Sequence, residues 1–274
     1  MKKLLFCFVF VFLVMTGGCA YLQELVDPPT VTFESMRFEN TDLFQATPVF
    51  KFNVDNPNPM GLPVNKIAYN LKINNRKFIN GSSDAYIRIK AASAGSVELP
   101  VTINYLDLFE SAVDFIQSKS VDYTLSGNID VGPFAIPYET TGAFDMPQLP
   151  KLTLNGINVS KMNLTGASLV VDIGIENDNP FAVNLNGLEY GIRLGGNQVA
   201  TGVTESVPPI AEQGSSTLKI PLNLNFLELG RSAASLLSGS STGYDFSGAM
   251  QFDVPKMGIK KFPFQKSGQV QFRR

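Results

Sequence analysis

Histidine and tryptophan are absent from this sequence, and its only two cysteines, Cys7 and Cys19, lie within the first 19 residues. Without histidine, Ser-His-Asp and Cys-His catalysis are excluded, as are the commonest zinc sites. Beyond Cys19 the chain has no thiol to form a disulfide, attack a substrate or ligate a metal. Charge is also scarce. Asp, Glu, Lys and Arg make up 17 % of residues, against about 25 % in ordinary soluble domains. Basic residues cluster only in short pairs such as Lys260-Lys261 and Arg273-Arg274. Nucleic acid is therefore not an expected partner, because phosphate binding needs grouped Lys and Arg. Apolar material is plentiful instead, at 44 % hydrophobic residues with 21 Phe and 8 Tyr in 274 positions. That is enough for two ordinary cores and unlike a disordered chain.

The N-terminus accounts for both cysteines. Lys2 and Lys3 precede an apolar run from Leu4 to Met15. Its 12 residues fall short of the roughly 20 that a spanning helix needs, and fit the apolar region of a secretory signal, residues 1–18. Thr16-Gly17-Gly18-Cys19 closes it. Small residues directly before a cysteine resemble a bacterial lipobox, although Thr16 stands where Leu is usual. The expectation is a lipidated Cys19, carrying palmitate-type acyl chains, with residues 19–30 as a tether. Ordinary cleavage near Gly18, leaving a soluble secreted protein, is the alternative. Two or three acyl chains anchor stably where a single chain would be marginal. Removing Lys2 and Lys3 leaves 20 basic against 24 acidic side chains, a net of −4. The expected location is the bacterial cell envelope. In a Gram-negative cell, Ala20 after the cysteine would direct the protein to the outer membrane, facing the periplasm. Ala20 to Thr30 reaches at most about 35–40 Å when extended, so the first folded unit should lie near the membrane surface.

The rest of the chain is one unit used twice. Asp55-Asn56-Pro57-Asn58-Pro59 is echoed 121 positions later by Glu176-Asn177-Asp178-Asn179-Pro180. At the same shift Tyr69 meets Tyr190, Gly81 meets Gly202, Pro100 meets Pro221, Tyr123 meets Tyr244, and Ser126-Gly127 meets Ser247-Gly248. The final hairpin alone differs, being five residues longer in the second copy. Apolar residues alternate at period two over 31–38, 48–54, 67–73, 77–79, 96–104, 123–131 and 136–144, which predicts strands. Residues 56–63, with three prolines and a glycine, are expected as a loop. Strands recur at 152–159, 168–175, 188–194, 198–203, 216–223, 244–254 and 259–270. Helical spacing predicts one short amphipathic helix per unit, over 106–116 and 227–237. Leu194-Gly195-Gly196-Asn197 reads as a hairpin turn rather than a phosphate loop, because no helix follows it. The expected fold is all-β with one short helix per domain. Two tandem immunoglobulin- or fibronectin-III-like antiparallel β-sandwiches, 31–144 and 151–274, are joined by a proline-stiffened linker at 145–150.

A unit of this length, with this strand order, one late helix and Asn56-Pro57-Asn58 after its second strand, resembles the WHy (water stress and hypersensitive response) domain. That domain is the folded, group 2 branch of the late embryogenesis abundant proteins. The second copy carries the variant Asn177-Asp178-Asn179. The resemblance implies a small β-sandwich, a link to desiccation, freezing or other stress, and no enzyme activity.

The candidate motif residues are Asn56, Pro57, Asn58, Pro59, Asn177, Asn179 and Pro180. Asn side chains close Asx-turns and Pro fixes φ, so turn chemistry alone explains these residue types. A recognition surface built from the Asn amides is the functional alternative. Calcium at Asp55 or Glu176 is disfavoured, because no spacing matches a calcium loop. A glycosidase dyad built from Asp55/Glu176 or Asp107/Glu228 is disfavoured because these acids recur with the repeat. No catalytic residue, metal or cofactor is expected. The expected function is a non-enzymatic, membrane-anchored stress-protection protein that binds or shields envelope proteins or the membrane. The alternative is a lipid-handling or scaffold protein of the envelope, with Phe residues lining an apolar groove. Stoichiometric lipid in the purified protein would favour that alternative.

Overall fold

Alternating apolar and polar side chains give each strand one face to bury and one to leave in water. In β2 (Gln45–Asn56), Phe50, Phe52 and Val54 share the buried face, as their spacing predicts. The computed structural model describes residues 26–108, 119–205, 207–229 and 239–273. Contacts divide the chain into two compact units. The first takes the chain up to Asn40, Ala46–Ile103 and Ser120–Met146; the second takes Thr41–Gln45, Asn104–Lys119 and Pro147–Arg274.

In the first unit, β1 (Thr30–Glu39), β2 and β5 (Ser93–Pro100) form one antiparallel sheet, and the short β6 (Ile103–Asn104) also pairs with β2. The facing sheet has the order β4-β3-β7-β8, from β3 (Leu62–Ile73), β4 (Arg76–Ile89), β7 (Ser120–Val131) and β8 (Phe134–Asp145). Three full strands and the two-residue β6 opposed by four strands give the fibronectin-III-like sandwich. Phe50 packs edge-on to Tyr123 at 5.5 Å, and Phe52 lies 4.6 Å from Tyr138. Ile67, Leu71, Val97, Leu99, Leu125 and Ile129 fill the space around them and are wholly buried. Each large apolar side chain buried this way contributes about 1.5–3 kcal/mol. The exposed Arg37–Glu98 and Lys51–Glu34 pairs contribute at most about 1 kcal/mol each. The core therefore holds the unit. Arg37 holds the Glu98 carboxyl below its usual range through a hydrogen bond.

The second unit repeats the plan with β9 (Lys151–Met162), β10 (Gly166–Asn177), β11 (Gly187–Leu194), β12 (Asn197–Thr204), β13 (Gly214–Asn225), β14 (Ser241–Val254) and β15 (Gly258–Arg273). Here the two sheets join. Phe272 and Arg273 at the end of β15 pair in parallel with Ile157 and Asn158 of β9. A single path β12-β11-β14-β15-β9-β10-β13 results. This parallel step is a departure from the wholly antiparallel expectation. It arises because β15 is long enough to reach β9. Tyr105, from the Asn104–Lys119 segment of this unit, is its largest fully buried side chain, followed by Phe246, Phe252 and Phe262.

Three expectations need correction. The loop expected over 56–63 ends early, because β3 starts at Leu62 and carries Pro63 as its second residue. β2 begins at Gln45, three residues before the expected start. β4 runs to Ile89 rather than Ile79. Its middle, Asn80-Gly81-Ser82-Ser83-Asp84, has turn-like composition and low strand propensity. It is nonetheless held in a ladder to β3 that the Asn74-Asn75 hairpin sets in register. Both turn residues have positive φ, +48° and +62°, and the corresponding turn of the second unit uses Gly195 and Gly196 at +53° and +84°. A tight hairpin turn with two left-handed residues requires such chemistry. Of the expected helices, the structure describes a 3-10 turn at Tyr105–Leu108 and one α-helical turn at Phe226–Leu229. The remainder of both lies outside the described residues.

β4 also carries a bulge. Lys66 pairs with Asp84 and Val64 with Ile87, so Ala85 and Tyr86 oppose the single residue Asn65. Tyr86 sits at φ +43° and is 85 % exposed. A bulky residue is disfavoured there, whereas Asn visits this region readily. Tyr86→Asn is expected to raise stability by about 0.5–1 kcal/mol in urea denaturation, since almost no packing is lost. A loss of stability would show that the ring has a folded-state contact.

Candidate functional site

β2 delivers Asn56 to the end of the first sandwich, and the chain turns there through Pro57, Asn58 and Pro59. Asn56 is fully buried and Asn58 nearly so, while Pro57 and Pro59 are exposed on the surface of the turn. The Asn56 amide spans the turn. Its Nδ2 donates to the carbonyls of Met60 (2.8 Å) and Lys90 (3.0 Å). Its Oδ1 accepts from the Asn58 backbone N–H (3.1 Å) and from Asn58 Nδ2 (2.9 Å). Asn58 Nδ2 donates its second hydrogen to the Asp27 carbonyl (2.9 Å), and Asn58 Oδ1 accepts from the Asp27 N–H (2.7 Å). The Asn58 carbonyl accepts from Ala92 N–H (2.8 Å), and Ala92 adopts φ +47° to present it. Two buried side chains thus tie three segments together: the entry to β1, the exit from β2 and the connection from β4 to β5.

The second unit rebuilds this arrangement atom for atom. Asn177 Nδ2 donates to the carbonyls of Phe181 (2.7 Å) and Ala211 (2.9 Å). Asn177 Oδ1 accepts from Asn179 N–H (3.1 Å) and Nδ2 (2.7 Å). Asn179 exchanges two bonds with the Gln148 backbone, at 2.7 and 2.8 Å. Gln213, at φ +45°, donates its N–H to the Asn179 carbonyl (2.9 Å). Every partner is displaced by 121 positions, including Asp27 to Gln148 and Ala92 to Gln213. Pro180 is exposed, and Asp178, which stands where the first copy has Pro57, points outward to pair with Lys151.

All four N–H bonds of each Asn pair are spent on the protein's own backbone or on each other. What the arrangement does chemically is satisfy partly buried turn and loop carbonyls with the buried asparagine amides. The sequence pointed to the asparagines but not to Asp27, Gln148, Ala92 or Gln213. These four act through main-chain atoms, and their side chains carry no shared signal.

The other candidates stay apart from this geometry. Asp55 and Glu176 are exposed at the ends of β2 and β10. Among the described residues no group of three or more His, Cys, Asp or Glu side chains is placed to hold a metal ion. Nor is any described helix long and apolar enough to cross a membrane. The rings of Phe50, Phe52, Phe246, Phe252 and Phe262 fill the cores. An open hollow of about 650 Å³ beside β3 and β4 is lined by Tyr69, Asn70, Phe78, Asn80 and Ser126. Burial pushes the Tyr138 hydroxyl well above the usual phenol range, and it donates to the Ala68 carbonyl at 3.0 Å. Cys19 lies outside the described residues.

A profile described as late embryogenesis abundant protein matches residues 51–142 and again 172–268, more than half of the chain. A search of curated proteins found no match. Among solved structures, a late embryogenesis abundant protein studied in solution is 19 % identical; the match covers 50 % of this chain and 89 % of that one, with a TM-score of 0.38. A protein from Archaeoglobus fulgidus is 17 % identical, over 47 % of this chain and 98 % of that one, with a TM-score of 0.28. A β-glucuronidase from Bacteroides uniformis is 10 % identical, over 90 % of this chain but only 33 % of the enzyme, with a TM-score of 0.30. Two profile matches in register with the structural repeat carry the assignment, and the chain belongs to the late embryogenesis abundant family, with the family's domain present twice.

Proposed function

We propose that this protein is a non-enzymatic, lipid-anchored stress-protection factor of the bacterial envelope. Cys19 carries the acyl chains, and the tandem sandwiches bind or shield envelope proteins or the membrane during drying or freezing. Family membership over both repeats is the observation that supports this reading. The absence of histidine, with the only cysteines in the first 19 residues, leaves no familiar nucleophile–base pair. The signal-like N-terminus ending at Cys19 supports the anchor. Glycosidase chemistry gains nothing from the β-glucuronidase match, which is confined to a third of that enzyme.

Cys19→Ala in the producing cell tests both halves of this reading. The variant is expected in the soluble envelope fraction, with survival of drying reduced toward that of a deletion strain. A variant that stays fully membrane-bound would refute the anchor. A deletion strain that survives drying and freezing as well as its parent would refute the protective role.

A further inference from the structure

Tyr86 is a bare aromatic held in a disfavoured conformation. The bulge in β4 gives it φ +43°, and 85 % of its surface faces water. Strain of this kind persists where the surrounding structure imposes it, and it commonly marks a site of use. Among the described residues the second unit shows no counterpart. The position 121 residues on is Val207, which lies past the end of β12 and is followed by Pro208 and Pro209.

Tyr86 has exposed apolar neighbours at the same end of the first unit. Ile87 follows it at 38 % exposure, and Met60 is 54 % exposed. Backbone and side-chain bonds hold the Met60–Gly61 turn beside the last residues of β4. Arg88 Nη1 donates to the Gly61 carbonyl at 2.9 Å, Val64 pairs with Ile87, and Asn56 Nδ2 bridges the Met60 and Lys90 carbonyls. The chain enters the unit at this end, because Asp27 exchanges two hydrogen bonds with Asn58. Asp27 is only eight chain steps from Cys19, a reach of about 28 Å at full extension.

We infer that this end of the first unit rests on the bilayer surface, with Tyr86, Ile87 and Met60 at the boundary between headgroups and acyl chains. The inference rests on the lipid-anchor reading. The short tether fixes the occupant as the membrane in which Cys19 is held, because it keeps this end within reach of that surface. Charge does not select the partner. Arg88, Lys90 and Lys66 are offset by Asp27, Asp55, Asp84 and Asp130 at the same end. Recognition is by the apolar–polar boundary itself, where a tyrosine places its ring in the apolar layer and its hydroxyl in water.

Because the chain has no tryptophan, Tyr86→Trp creates a single reporter. The lipidated full chain carrying it is reconstituted into phosphatidylcholine vesicles, with or without brominated acyl chains, and compared with the same variant lacking Cys19. Met60→Trp serves as a second reporter at a different position. Bound to vesicles, both tryptophans are expected to emit further to the blue than the unanchored protein and to lose most of that emission to brominated lipid. If the lipidated chain floats with the vesicles but both reporters emit as in water, the surface contact is wrong and the anchor stands. A full-length chain that does not float overturns the anchor and this inference with it.

Discussion

Asn177→Ala is expected to destabilise the second unit by about 3–5 kcal/mol, because four polar groups lose their partner at once. Those groups are the carbonyls of Phe181 and Ala211 and the backbone N–H and side-chain amide of Asn179. Asn177 itself is fully buried, so water cannot replace it without the turn opening. Urea denaturation of the full chain is the measurement. The transition of the second unit should move while that of the first stays. Asn177→Asp is the sharper variant, since it keeps the shape but sets carboxylate oxygen against two carbonyl oxygens. It should cost more than alanine at neutral pH and less in acid, where a protonated carboxyl can donate one bond. A change below about 1 kcal/mol for both variants would mean that the bonds make no net contribution.

The second large effect comes from a glycine. A β-carbon on Gly127 would lie 1.9 Å from the Ala68 carbonyl oxygen, and one on Gly248 would lie 1.9 Å from that of Glu189. Both obstacles are backbone atoms of the neighbouring strand, so no side chain can swing away. The β3–β7 ladder, or its counterpart between β11 and β14, must shift. Around Gly127 the shift also disturbs the Tyr138 hydroxyl, 3.0 Å from the same β-carbon position. Gly127→Ala is expected to cost about 3–4 kcal/mol. For a domain of this size that lowers the melting temperature by roughly 15 °C or more. Gly191→Ala is the control, because its nearest neighbours lie 3.8–4.0 Å away. It should change stability by less than about 1 kcal/mol. Equal losses at Gly127 and Gly191 would remove the steric explanation.

These two cases show how unevenly the molecule is legible. Gly127 and Gly248 align in the sequence as part of Ser126-Gly127 and Ser247-Gly248, but nothing in the sequence separates them from the tolerant Gly191. The difference lies in which carbonyl of the neighbouring strand stands over each. The asparagines were visible for the opposite reason. Their chemistry is carried by side chains, so the repeat preserves Asn56 and Asn58 as Asn177 and Asn179. Their partners use main-chain atoms that any residue supplies, which is why Ala92 can correspond to Gln213. β4 was misjudged because an edge strand of polar composition resembles a loop until the strand beside it is known.

By itself the sequence determined the duplication, the alternating faces of most strands, the hairpin at Gly195-Gly196, the lack of histidine and the lack of any thiol beyond Cys19. All of these depend on residue identity and spacing along the chain. Tertiary structure decided that the Asn pairs bond inward, that β15 reaches β9 and joins the second unit's sheets, and that Tyr86 stands strained and bare. Each of these depends on which backbone atoms from distant parts of the chain are brought within hydrogen-bonding or van der Waals distance. Chain packing sets those distances, and periodicity does not encode them.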